Sequence, residues 1–327
     1  MHAARYRAFL DAWARRCGAP LIMACLLVWT IPAYGSPSAG PAARSLKAAV
    51  LVSRNIRPYL EAMEGFKTGL SEGSGTEIQV IGMENLRPSD KAGLVRRLCG
   101  ENPDLLVGVG PEAALFIWKE IPDNRIIKLY LMVLNPGKVF GAGKDPCGIS
   151  LNIPVHVQVN MIQKALPDVR RPGIFYDPRI NDDFFRKAVE GASSTGITIV
   201  PLNIGSKKDI PSVLEKKWNE LDAIWMIPDR TVISESIIHY VIKEAFIRKV
   251  PVIGFNRFFY DAGAAMAFVF DYETLGRQCA REALRAAAGN PCRYMPPVFD
   301  VWINPLVVDK LGLKIPDTYD PPIRLGP

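Results

Sequence analysis

The sequence predicts an α/β fold built as two doubly wound lobes joined by a multi-strand hinge. Two observations predict the lobes. Over residues 169–316 one unit repeats, an apolar strand followed by a polar turn and a helix of modest length, with strands at 173–176, 197–200, 223–227 and 250–255. The first half repeats the same unit, beginning with Ala48-Ala49-Val50-Leu51-Val52. Two such sets within 327 residues make two lobes with a crevice between them. Ligands bind beyond the carboxyl ends of strands in folds of this kind. A third observation, an export signal at the N-terminus, points to a bilobed binding protein outside the cytoplasm.

The signal is read from residues 1–35. Arg5, Arg7, Arg15 and Arg16 form a positive region, residues 19–31 are apolar and uncharged, and Ala33-Tyr34-Gly35 offers small residues where a signal peptidase reads. The alternative is an anchor left uncleaved. Cys25 is poorly placed for lipid attachment, because Leu26, Leu27, Val28 and Trp29 still follow it. Residues 36–45 form a Ser/Pro/Ala/Gly linker.

Charge excludes one class of partner. The chain carries 40 basic and 33 acidic residues, and without residues 1–35 it carries 36 and 32, a net +4. The basic doublets Arg96-Arg97, Arg170-Arg171, Lys207-Lys208 and Lys216-Lys217 are scattered and lack interleaved aromatics, so no nucleic-acid partner is expected. A hydrophobic content of 49% suits a sizeable core. A monomer is expected.

The elements follow in order. After the strand at 48–52, Tyr59, Met63, Phe66 and Leu70 recur at three and four residues, an apolar stripe on a helix over 58–71. A strand at 78–81 precedes a helix to about residue 99, capped by Ser89 or Asp90. A strand at 105–109 leads into a helix opened by Pro111, whose missing N–H costs nothing in a first turn. Strands at 126–133 and 148–151 complete the first set, and the chain then crosses to the second lobe through a helix at 154–166. A strand at 264–270 marks the return, a helix at 273–288 lies back on the first lobe, and a strand at 298–303 ends the second. The lobes are therefore 46–151 plus 271–295 and 152–270 plus 296–316, with a tail at 317–327. Several crossings between lobes make a hinge.

Four cysteines remain beyond the signal: Cys99, Cys147, Cys279 and Cys292. Cys147 precedes a strand and Cys292 follows the returning helix, so both can lie at the same outer end of the first lobe. A Cys147–Cys292 disulfide is the pairing expected. The alternative is unpaired, buried thiols.

Catalytic groupings are missing, and no enzyme activity, metal or cofactor is expected. His156 and His239 stand alone on predicted helices, and there is no Cys-x-x-Cys, His-Glu-x-x-His, Gly-x-Ser-x-Gly or phosphate-loop lysine. Gly108-Val109-Gly110-Pro111-Glu112-Ala113 fits the dinucleotide pattern only loosely. It follows the third strand, and Lys128, Leu129 and Tyr130 stand where an acidic ribose partner belongs. A nucleotide-dependent enzyme is thus a distant alternative. The bland reading is a tight turn whose N–H groups face the crevice.

Polar groups at strand ends are the site candidates. The first lobe offers Ser53, Arg54, Asn55, Gly110, Glu112 and Asn135. The second offers Tyr176, Asp177, Asn181, Asp229, Arg230, Thr231, Asn256 and Arg257, with Asp271 at the return crossing. Arg54 or Arg230 suits a carboxylate through paired N–H bonds, and Asp229 or Asp271 suits an ammonium group. Any of these residues also fits a helix cap or turn.

Several stretches resemble the ABC-transporter substrate-binding family that includes tryptophan- and tyrosine-binding lipoproteins. They are Ile224-Trp225-Met226-Ile227-Pro228-Asp229-Arg230-Thr231-Val232, Val250-Pro251-Val252-Ile253-Gly254-Phe255-Asn256, Phe270-Asp271-Tyr272-Glu273-Thr274-Leu275-Gly276-Arg277-Gln278 and Leu311-Gly312-Leu313-Lys314-Ile315-Pro316. Pro103-Asp104-Leu105-Leu106-Val107 and Asn135-Pro136 fall in the expected order, and the likeness covers about 48–316. The resemblance implies a type I periplasmic-binding-protein fold, an amino-acid-like small-molecule ligand and an ABC permease in the inner membrane as partner, and the cleavable signal places the protein in the periplasm. A sensory module reporting to a membrane receptor or kinase is the alternative on the same fold. Gly110 stands where the family has small hydroxyl residues, and Asn256 where it often has an acid, so the ligand can differ from an aromatic amino acid.

Overall fold

The computed structural model describes residues 45–72, 75–123, 125–141, 146–228 and 234–327. The expected signal segment and nearly all of the linker lie outside them. In the first half, strands and helices alternate as β1 (Leu46–Val52), α1 (Arg57–Ser71), β2 (Thr76–Gly82), α2 (Pro88–Glu101), β3 (Leu105–Val109), α3 (Pro111–Glu120), β4 (Ile127–Val133), α4 (Pro136–Phe140) and β5 (Gly148–Ser150). The chain continues through α5 (Val155–Ala165), β6 (Pro172–Tyr176), α6 (Asp182–Ala192), β7 (Val200–Asn203), α7 (Ile210–Lys217), β8 (Ala223–Trp225), α8 (Glu235–Ile247), β9 (Val252–Gly254), α9 (Arg257–Asp261) and β10 (Met266–Val269). It ends with α10 (Tyr272–Ala287), β11 (Tyr294–Met295), β12 (Asp300–Ile303), α11 (Pro305–Leu311) and β13 (Ile323–Leu325).

These strands form two sheets. The first has the order β11-β5-β4-β3-β1-β2 and the second β13-β12-β10-β9-β8-β6-β7. Every pairing is parallel except β10 with β12. Two doubly wound lobes are thus the architecture, as the repeating strand–helix unit predicts. Among the described residues the chain passes between the sheets three times, after β5, after β10 and after β11.

Alternation along buried strands builds a core on both faces of each sheet. In β1, Ala48, Val50 and Val52 pack with Phe66 of α1 and Leu275 and Cys279 of α10. Ala49 and Leu51 point the other way, onto Leu98 of α2 and Ile117 of α3. In the second sheet Ile174, Trp225, Ile253 and Phe268 meet Val159 and Ile162 of α5 and Ala188 of α6. Phe175, Leu202, Ile224 and Val252 meet Leu214 of α7 and Val241 of α8. Burying one such side chain stabilises the fold by roughly 2 kcal/mol. Phe270, at the second crossing, packs against a core of each lobe and so sits on the hinge.

Several boundaries differ from the sequence reading. The strand expected at 197–200 runs instead over Val200–Asn203, because its partner β6 begins only at Pro172 and pairs Gly173 with Val200. Ile197 and Ile199 are buried there without belonging to the ladder. Helix α2 starts at Pro88, with Arg87 as the capping position. Asp90 sits one turn in and accepts from the Arg87 N–H at 3.2 Å, while Ser89 donates to Asp90. The expected tail is structured: Ile323–Leu325 adds a parallel strand beside β12, so the strand ending at Ile303 is not the last. The Pro321-Pro322 pair ahead of it breaks the apolar pattern that marks other strands.

Cys147, just before β5, and Cys292, just before β11, are joined in a disulfide with 5.5 Å between their Cα atoms. It lies where β5 and β11 pair through Gly148 and Tyr294. Cys99 is free and exposed, and Cys279 is free and buried.

Candidate functional site

The first-lobe rim is assembled from the turns after β1, β3 and β4. Ser53 follows β1 directly and is buried. Its Oγ accepts from the Ala113 N–H at 2.9 Å, so it caps the first turn of α3. Gly110 opens that helix at φ +87°. A Cβ there would lie 2.7 Å from both Ser53 Oγ and the Tyr59 ring, which explains why no hydroxyl residue occupies the position. Above this turn Arg54 Nη2 meets Glu112 Oε1 at 3.2 Å, with both side chains about half exposed. Burial and the Glu112 charge raise the Tyr59 phenol above its ordinary pKa, and Arg54 opposes them. The Asn55 N–H donates to Glu84 at 3.1 Å, which ties the turn to the end of β2.

Strand β4 ends irregularly. Its register against β5 shifts between Leu131 and Val133, and Met132 between them has φ +62°. Bulges of this type re-aim a strand end. Asn135 follows at φ +51° and opens α4. Its N–H donates to Asn152 Oδ1, and Asn152 Nδ2 donates to Asn135 Oδ1, both at 2.9 Å. Asn135 is thereby bound to the first crossing between the sheets.

The second-lobe rim is set by the turn after β6. Tyr176 stacks on Phe185 with ring centroids 4.3 Å apart and donates its hydroxyl to Asp182 at 2.6 Å. That bond, with burial, raises the phenol pKa. Asp177 is buried and receives the Arg179 guanidinium at 3.0 and 2.8 Å, which holds its carboxyl below the usual range. Asn181 Oδ1 accepts from the Asp177 N–H at 2.9 Å and closes the turn.

Other candidates serve as helix caps. Asn256 Oδ1 accepts from Phe259 N–H at 3.4 Å, and Asp271 Oδ1 from Thr274 N–H at 3.0 Å. Arg257 pairs with Asp261 at 3.4 Å on the same helix. Asp229, Arg230 and Thr231 lie outside the described residues. Ser53, Arg54, Gly110 and Glu112 come together with Tyr59 at one end of the first sheet. Tyr176, Asp177 and Asn181 come together at one end of the second.

One residue the sequence reading passed over spans the two rims. Lys138 of α4 donates from Nζ to the Ile180 carbonyl at 2.8 Å. The bond runs from α4, which follows β4, to the turn after β6, so the segments leaving these two strands meet across it. No spacing marks Lys138 in the sequence; the signal was Asn135-Pro136 two residues before it. The hollows on the surface near His156 and Lys187, about 340 Å³, and near Leu86 and Arg97, about 370 Å³, are not lined by the candidate residues. Cys147, Glu282 and Cys292 have metal-ligand spacing, but the two sulfurs are bonded to one another and Arg285 engages Glu282.

A sequence profile of ABC transporter substrate binding proteins matches residues 47–319. The chain belongs to that family. Among curated proteins none matches the chain. Solved structures do. A ligand-free, open substrate binding protein with adhesive properties from Clostridium difficile is 17% identical, with a TM-score of 0.71 over 86% of this chain and 99% of that one. A conserved domain protein from Vibrio cholerae is 24% identical, with a TM-score of 0.56 over 84% and 97%. An ABC domain from Streptococcus pneumoniae in complex with L-Trp is 20% identical, with a TM-score of 0.55 over 84% and 96%. Membership of the substrate-binding family agrees with the resemblance in the Phe270–Gln278 stretch, and the structural neighbours share the bilobed fold. Among the described residues no helix is long and apolar enough to cross a membrane.

Proposed function

We propose that this substrate-binding protein is an exported component of an ABC import system that closes its lobes on a small zwitterionic or carboxylate ligand. It then presents the ligand to an inner-membrane permease. The observation that carries the reading is the Lys138–Ile180 bond. It brings the segments that follow β4 and β6 within one side chain of each other, which supports a small ligand touching both lobes. A ligand that touches both binds the closed arrangement better than the open one, and that difference drives closure. The lobe limits are drawn at the crossings, 151/152, 270/271 and 295/296.

The Arg54–Glu112 pair supports a ligand with both charges. Arg54 can turn its guanidinium to a carboxylate, and Glu112 can accept an ammonium group. An exposed pair of this kind is worth only about 0–1 kcal/mol, so parting it costs little. Fold neighbours include a domain holding L-Trp and a protein holding D-arabinose, and a charge pair favours the amino acid over the sugar. Tyr176, Asn55, Asn135 and, in the stretch after β8, Asp229, Arg230 and Thr231 complete the proposed ligand shell. In this reading Gly110 shapes the turn, and Ser53, Asn256 and Asp271 hold the helices that frame it. The protein acts as a monomer in the periplasm, without cofactor or covalent chemistry.

A thermal-shift screen of the protein without its first 35 residues against amino acids, short peptides and small carboxylates tests the reading. Binding to the folded state alone raises the melting temperature by mass action. Hits confined to sugars or nucleotides would refute the charge-pair assignment.

A further inference from the structure

We propose that Lys138 and the 177–181 turn form a latch, made wholly of the protein's own groups, that sets the resting angle between the lobes. The inference rests on the two-lobed reading above. Its support is that each half of the bond is held rigidly on its own lobe.

On the first lobe α4 is fastened at both ends. At its start Asn135 is gripped by Asn152, whose own N–H donates to Ser150 Oγ at 2.9 Å. At its end Phe140 is buried, with its ring 5.0 Å from Trp118 and 5.5 Å from Tyr130. A five-residue helix pinned this way cannot swing by itself, so Lys138 extends from a fixed base.

On the second lobe the accepting carbonyl belongs to an over-determined turn. The Ile180 and Asn181 N–H groups donate to the Asp177 carbonyl at 2.9 and 3.0 Å. The Asp177 carboxylate is held by the Arg179 N–H at 2.9 Å and by its guanidinium. The same guanidinium reaches the Gly205 carbonyl at 3.4 Å. The Ile180 carbonyl is therefore presented at a fixed place.

A bond between two rigid lobes is sensitive to hinge angle, because neither end can follow the other when the lobes part. The acceptor is a neutral carbonyl rather than a carboxylate, so salt screening weakens the bond little. A charged donor on a carbonyl in a partly wet gap shifts a two-state equilibrium by about five-fold. The same bond ties the hinge to the cleft, since Asn152 on the first crossing grips Asn135, which opens the helix that carries Lys138.

The test uses spin labels carried on a ketone-bearing amino acid at the exposed positions Arg96 and Lys216, one on each lobe. Distances are measured by double electron–electron resonance on the protein with no ligand added. Lys138→Met is expected to lengthen and broaden the distance distribution, with the ratio of short to long distances falling about five-fold. Lys138→Arg, which keeps a donor, is expected to restore most of the short population. Melting temperatures of the variants verify that both fold. A Lys138→Met distribution that superimposes on the parent overturns the latch. So does a Lys138→Arg distribution that follows Lys138→Met. Either failure denies the bond its hold on the lobe angle, whereas the thermal-shift screen decides the binding reading separately.

Discussion

Gly276 of α10 rests against the carbonyl of Ala62 in α1, so closely that a methyl group on it would overlap the carbonyl oxygen. Gly65 meets the Glu273 carbonyl in the same way from the other helix. The two helices thus touch backbone to backbone, and α10 is the element that returns the chain from the second lobe to the first. The close approach predicts that Gly276→Ala costs about 2 kcal/mol or more, since rigid backbone and not a flexible side chain must yield. Gly100→Ala, in α2 with nothing within 4 Å of an added Cβ, should instead stabilise by up to about 1 kcal/mol through helix propensity. Urea unfolding of both variants measures this, and equal effects would show that the helix contact is not tight.

The disulfide closes a loop with a sequence separation of 145 residues and fixes β11 to β5 at the edge of the first sheet. Removing it by Cys147→Ser with Cys292→Ser should lower unfolding stability by about 2–5 kcal/mol. Dithiothreitol should destabilise the parent by a similar amount and leave the double variant unchanged. Free Cys279 is buried, which pushes its thiol pKa well up and keeps it inert to reagents in the folded state.

Glu282 is buried beside that disulfide and receives Arg285 at 2.9 and 2.6 Å. The Arg285 bond is the main reason its carboxyl is held below the ordinary range; burial opposes it, and the Arg293 N–H assists. A depressed carboxyl contributes stability that is fully present above the unfolded-state value of about 4.3. That stability is lost as pH falls through the lowered value. Glu282→Gln should therefore cost about 2 kcal/mol at pH 7 and flatten the decline of stability below about pH 4. An acid limb that is unchanged in Glu282→Gln would assign the pH dependence to other groups.

Arg54 and Glu112 are exposed and paired, so Arg54→Ala and Glu112→Ala should each alter stability by less than about 1 kcal/mol. Each should nevertheless abolish the thermal shift of an amino-acid hit, and Arg54→Ala alone should remove that of a simple carboxylate. Tyr176→Phe loses the Asp182 bond and serves as the second-lobe counterpart. A hit whose shift survives Arg54→Ala and Tyr176→Phe alike would place its site elsewhere.

Much of the fold was legible because buried parallel strands write themselves as short apolar runs between helices. Val50 and Leu51 face opposite cores, and both had to be apolar. The Cys147–Cys292 pair was legible from the ends of the elements that carry them. Boundaries failed where partners decide them. Ile197 looks like strand, yet its neighbour β6 has not begun opposite it, and Ile323 follows two prolines yet finds β12 waiting. The site was less legible than the fold. A polar residue at a strand end serves a ligand or a helix with the same atoms, and Ser53, Asn256 and Asp271 serve helices. Lys138 escaped notice because a lone lysine carries no pattern until the opposite turn is folded beside it.

The proposed ligand is held between the carboxyl ends of the two sheets. Hydrogen exchange followed by mass spectrometry, with and without the best compound from the thermal-shift screen, tests it most directly. Slowed exchange should appear together in residues 53–59 and 110–113 of the first lobe, in 176–182 of the second, and at the crossings near Asn152 and Phe270. Protection confined to one lobe, or at neither set of strand ends, would contradict it.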